Sequence, residues 1–163
     1  MKKILLISLV FITLHSCVID ASNDPVVGCT DQLAINYNSL ATINDNNCDF
    51  SSDIVFYMDA NAAIFLDQQN VNQLTFYVNS FNIGSQYNNN GFIFSLEDPG
   101  CNDPYFLTQT INWSMTQSSS IVWEAIDESG YVWYSSSEVI SPNECLNIRL
   151  TTKMIKEFHN MSQ

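Results

Sequence analysis

Positive charge is scarce in this chain. Its 163 residues hold 5 Lys and Arg against 17 Asp and Glu, a formal net charge of −12. Beyond Lys2 and Lys3 the only basic residues are Arg149, Lys153 and Lys156, all near the C-terminus. Phosphate backbones are held by basic faces, so no nucleic-acid partner is expected. Histidine is limited to His15 and His159, and no cysteine pair has zinc-knuckle spacing, which argues against zinc. There is no Gly-x-Ser-x-Gly elbow, no His-Glu-x-x-His and no phosphate loop. Two carboxylates would suffice for glycoside hydrolysis. A small β domain seldom encloses a cleft deep enough to shift a carboxyl pKa, so a hydrolase is the lesser alternative to a non-catalytic protein. Beyond residue 14 no apolar run approaches the length of a membrane helix.

One short apolar run is present. Ile4 to Leu14 follows Lys2-Lys3 and is too short to span a bilayer stably, as expected of an export signal. It ends in Leu14-His15-Ser16-Cys17, which resembles a bacterial lipobox, with His15 as the departure. The resemblance implies a signal peptide over 1–16, cleavage before Cys17 and acylation of that cysteine. The mature protein would then be lipid-anchored on the extracytoplasmic side of a bacterial cell envelope.

Four cysteines follow: Cys29, Cys48, Cys101 and Cys145. An even set in an exported chain reads as two disulfides. Three pairings are open. Locality favours Cys29–Cys48 inside one polar segment, which leaves Cys101–Cys145.

Composition divides the chain into a tether over 17–27, a cysteine-bounded acidic module over 28–50, a β domain over 53–152 and a polar tail over 153–163. The module is rich in Asn and Asp, which favour turns. Its few apolar residues need a disulfide to hold them. Short aromatic and β-branched runs follow. Ile54–Met58, Ala63–Leu66, Leu74–Val78, Phe81–Gly84, Phe92–Leu96, Tyr105–Trp113, Ile121–Ile126, Tyr131–Tyr134 and Cys145–Leu150 read as strands. Asn79-Ser80 and Asp127-Glu128-Ser129-Gly130 read as hairpin turns, Asp98-Pro99-Gly100 as a turn and Gln86 to Asn90 as a loop. The expected fold is mainly β: a small antiparallel β-sandwich behind a loop-rich, disulfide-closed module. The tail frames a short helix or stays loose.

Gly28-Cys29-Thr30-Asp31, then Ala34-Ile35-Asn36-Tyr37-Asn38, Ala41-Thr42 and Asn47-Cys48 resemble a cysteine-bounded module of secreted proteins from Bacteroidetes-type bacteria. Gln32, Asn44 and Asn46 depart from that pattern. The remainder, with Leu74–Asn79, Pro99-Gly100-Cys101, Ala125-Ile126-Asp127 and Gly130–Trp133, is similar to small Ig-like or PEGA-like sandwich domains of exported proteins. The resemblance implies a non-catalytic accessory domain.

Two ligand readings follow. The acidic loop resembles calcium-binding repeats, and Asp31, Asn36, Asp45, Asn47 and Asp49 could supply oxygens to Ca²⁺. The competing reading is that these side chains bond their own backbone turns. Trp113, Trp123, Trp133, Tyr131 and Tyr134 are candidates for a carbohydrate-stacking platform. Tyr131 and Trp133 share a strand face by the two-residue period. Exposed, that pair would be a binding patch; inward, it would be core, the expected place for Trp133. Trp123 is expected opposite Trp133 or Tyr134. The function expected is accessory binding or adhesion, with carbohydrate or an envelope protein as partner. The alternative is a structural envelope component that touches only proteins.

Overall fold

The structure is a computed structural model that describes residues 24–155. The signal peptide, Cys17, most of the tether and the tail beyond residue 155 lie outside the described residues.

Strand β3 (Asp49–Met58) is the spine of the fold. Ile54, Phe56 and Met58 point into the core, and Val55 and Tyr57 are buried on the opposite face. A strand covered on both sides reads as a continuous apolar run. β3 lies between β6 (Leu107–Ser114), antiparallel to it, and β9 (Cys145–Leu150), parallel to it. The second sheet is fully antiparallel. Its order is β5 (Phe81–Tyr87), β4 (Gln73–Val78), β7 (Ser119–Asp127), β8 (Val132–Ile140). The sheets face each other through Phe56, whose ring meets Phe76 at 5.0 Å and Trp123 at 5.3 Å. The chain is thus a mainly β sandwich. At one side β5 and β6 approach so closely that a Cβ on Gly84 would sit 2.7 Å from Leu107.

The parallel β9 arises because the chain crosses between sheets after β8. Residues 141–144 pass beside the start of the buried half of β3. There Glu144 O accepts from Asp53 N at 3.0 Å and from the Ser52 hydroxyl at 2.8 Å. β9 therefore enters in the same direction as β3.

Several expected elements differ. Ala63–Leu66 is not a strand but part of helix α1 (Ala60–Gln68). A four-residue apolar run carries no period that separates strand from helix. Asp59 caps the helix by accepting from Ala62 N at 2.8 Å. Ala62, Ala63 and Leu66 then form its buried face. Phe92–Leu96 is not a strand either. It makes a single bridge, Met58 to Phe94, and buries Phe92 while Leu96 stays exposed. Gln86 and Tyr87 belong to β5 rather than to a loop. Near Asp98-Pro99-Gly100 the hydrogen-bonded turn falls later, with Asp103 N donating to Gly100 O at 2.9 Å.

Residues 98–106 cover the outer face of the three-stranded sheet. The Tyr57 hydroxyl donates to Asp98, and Phe106 meets the Tyr57 ring edge-on at 6.4 Å. Burial, reinforced by Asp98, pushes the Tyr57 phenol up to about 12. The Cys101–Cys145 disulfide ties this cover to the start of β9. The tail opens as a helical turn over 152–155, with Ile155 in the core.

Asn79-Ser80 forms the expected tight turn, both residues at positive φ (48° and 68°). The β7–β8 hairpin also forms. Its turn is closed by Asp127 N donating to Tyr131 O, which centres the hairpin on Ser129, and a register shift between Ala125 and Ile126 adds one residue more, so Trp123 lies opposite Ser136 and Tyr134 opposite Ala125, not Trp123 opposite Trp133 or Tyr134. The extra residue of a bulge displaces every later pair.

Candidate functional site

The module has little apolar material: Cys29, Ala34, Cys48 and Phe50 form its core. The Cys29–Cys48 disulfide and a two-residue parallel pairing of β1 (Val27–Gly28) with β2 (Ile43–Asn44) close it. Phe50 already belongs to β3, so the strand carries the module into the sandwich without a linker. More contacts fix the junction. Gln117 Nε2 donates to Asp31 at 2.6 Å, Asn143 Nδ2 to Leu33 O at 3.1 Å, and Met115 N to Cys48 O at 2.8 Å.

The proposed calcium ligands are employed elsewhere. Asp31 accepts from Leu33 N, and Asp45 from Asn47 N, both at 2.9 Å. Asn36 accepts from Asp49 N at 2.9 Å and donates to Asn47 O at 2.7 Å. The Asp31 and Asp45 bonds close local turns, whereas the Asn36 bonds tie its loop to residues 47 and 49. The Gln117 and Leu33 bonds hold the Asp31 carboxyl below its ordinary value. Among the described residues no three His, Cys, Asp or Glu side chains are grouped together.

What the junction does form is an open groove of about 340 Å³. Trp113, from the end of β6, lines it with Ile35 and Phe50. The Trp113 ring stacks on Phe50, with centroids 6.0 Å apart and planes at 26°. Its indole N–H donates to Thr116 O at 2.7 Å, so the ring is held at plane and edge. Asn36, Asp49, Asn112 and Ser114 provide the polar lining. Asp49 accepts from the Ser114 hydroxyl at 2.5 Å and from Asn36 Nδ2 at 3.3 Å. Of these residues only Trp113 was a sequence candidate for stacking. Ile35, Asn112 and Ser114 carry no local motif. Asn112 and Ser114 reach Asp49 because β3 pairs Asp49 with Ser114 and Ser51 with Asn112, and Ile35 because its N–H donates to Asp49 O at 2.7 Å.

Tyr131 and Trp133 do meet, edge to face with centroids 5.0 Å apart. Trp133 is partly buried against the core and meets Phe65 of α1 at 6.1 Å, and Tyr131 is 47% exposed. Trp133 is thus neither fully core nor a free platform. Its indole N–H donates to Asp127 at 3.0 Å, and Asp127 also accepts from Ser129 N, the Ser129 hydroxyl and Tyr131 N. Burial raises the Asp127 pKa, but these four bonds outweigh it and hold the carboxyl below its ordinary 3.8. A depressed carboxyl stabilises the fold above its unfolded pKa and loses that contribution as pH falls through the folded value. Asp127→Asn is expected to flatten the decline in melting temperature below about pH 4, measured by thermal melts from pH 2 to 7.

Trp123 and Tyr134, also stacking candidates, are wholly buried in the core. Against known protein families, curated proteins and solved structures, the chain finds no match.

Proposed function

We propose that this chain is a lipid-anchored lipoprotein of a bacterial cell envelope, working there as a non-catalytic binding or adhesion domain. The observation that carries the reading is the pair of disulfides, Cys29–Cys48 and Cys101–Cys145. Such bonds persist in oxidising, extracytoplasmic compartments. The charged start, the short apolar run and Leu14-His15-Ser16-Cys17 supply the matching export and anchoring signal. Open grooves lined by aromatic and amide groups suit recognition better than chemistry.

The test is metabolic labelling with an alkyne fatty acid, followed by membrane fractionation. The native chain is expected in the membrane fraction, labelled and with oxidised cysteines. Cys17→Ala is expected to lose the label entirely. Unlabelled native chain with reduced thiols in the cytosol would end the reading.

A further inference from the structure

The groove between module and sandwich combines features that specify a class of ligand. Its apolar part is rigid before anything binds. Trp113 is backed by Phe50 and pinned through its indole N–H, so little conformational freedom remains to be lost on binding. Ile35 adds an apolar side chain that is 62% exposed. The polar part is also preset. Asp49 is held by Ser114 and Asn36, and its carboxylate still has acceptor capacity beyond those two bonds. Asn112 adds an amide on the same strand edge.

Chemistry narrows the occupant. An anion would meet Asp49 in a chain of net charge −12. A wholly apolar ligand would cover Asp49 and the amides and leave them without water or partners. The complement is an uncharged molecule with a C–H face for the indole and several hydroxyls for the carboxylate and amides. A volume of about 340 Å³ lies at the small end of ligand sites, enough for about one or two sugar rings.

We propose that the Trp113 groove binds a neutral saccharide, with the sugar face on the indole and its hydroxyls donating to Asp49. The proposal rests on the reading of this chain as a binding protein and names the ligand class for it.

The test uses the full-length chain, purified in a detergent without a sugar headgroup. Neutral tetrasaccharides of glucose, mannose, xylose and N-acetylglucosamine are titrated and followed by saturation-transfer NMR. At least one is expected to bind saturably. Asn112→Ala and Trp113→Phe are each expected to weaken it by about tenfold or more, while Tyr131→Ala leaves it unchanged. Asn112 is exposed and its truncation removes no core contact, so the result survives even where Trp113→Phe perturbs folding. Sensitivity to Tyr131→Ala alone would move the site to the β7–β8 hairpin and overturn the groove assignment while the binding-protein reading stands. Binding of a Lys-rich peptide and of none of the four sugars would overturn the saccharide class. Binding of no probe by a chain still labelled and membrane-bound would sink the saccharide proposal alone. Loss of both label and binding would remove the envelope reading with it.

Discussion

Replacing Cys101 and Cys145 together by serine is expected to lower the unfolding free energy by about 4 kcal/mol. The bridge closes a sequence separation of 44 residues, and the chain-entropy cost of the unfolded state grows with loop length. The Cys29–Cys48 bridge spans 19 residues, so its removal is expected to cost less, about 3 kcal/mol. Urea unfolding of the two double variants under oxidising conditions measures both. The site of first failure is as diagnostic as the magnitude. Without Cys101–Cys145 the cover over Tyr57 is left to the Asp98 hydrogen bond, the Phe106 ring contact and the burial of Pro99. Limited proteolysis is therefore expected to cut first within 98–106. A double variant as stable and protease-resistant as the native chain would show that packing alone holds the cover.

Truncation at the centre of the core is expected to cost as much. Phe56 is wholly buried and its ring touches Phe76 and Trp123, which come from the opposite sheet. Phe56→Ala removes those contacts and leaves a cavity that rigid strands cannot collapse. The expected loss is about 3–5 kcal/mol, a drop in melting temperature on the order of 10–20 °C. The informative control is Tyr134→Phe, a buried aromatic change in the same core. The Tyr134 hydroxyl is buried, with no hydrogen-bond partner among the described residues. Burial first and the charge of Asp59 second push its pKa up. Removing an unpaired buried hydroxyl is expected to be neutral or to stabilise by up to about 1 kcal/mol. Calorimetry of the two variants should therefore give shifts of very different size. A large loss in Tyr134→Phe would mean that the hydroxyl has a partner such as buried water.

Elements whose signal is local could be read before the fold was known. Leu74–Val78 and Cys145–Leu150 alternate, Asn79-Ser80 sits between two apolar runs, and each appears where that pattern puts it. Ala63–Leu66 failed because its helix is decided by the Asp59 cap and by burial of Ala62, Ala63 and Leu66, not by a repeating period. Phe92–Leu96 failed because strand propensity does not supply a neighbouring strand. Among the described residues its one strand-type pairing is the bridge from Phe94 to Met58. Of the candidate sites, the oxygen-rich loop was visible by composition. Composition does not show that those oxygens already close Asx turns.

The sequence by itself determined the mainly β class and favoured, among three open pairings, the two disulfides that form. Alternation, turn residues and locality act over a few residues or within one segment, so they need no tertiary context. Only the tertiary structure decided that β9 runs parallel to β3, that the β7–β8 bulge sets Trp123 against Ser136, and that β3 extends from module to sandwich. The groove belongs to the second group. Trp113 and Asn112 lie more than sixty residues from Asp49, and strand pairing alone brings them together. Register depends on the summed packing of whole sheets, which no short window of residues contains.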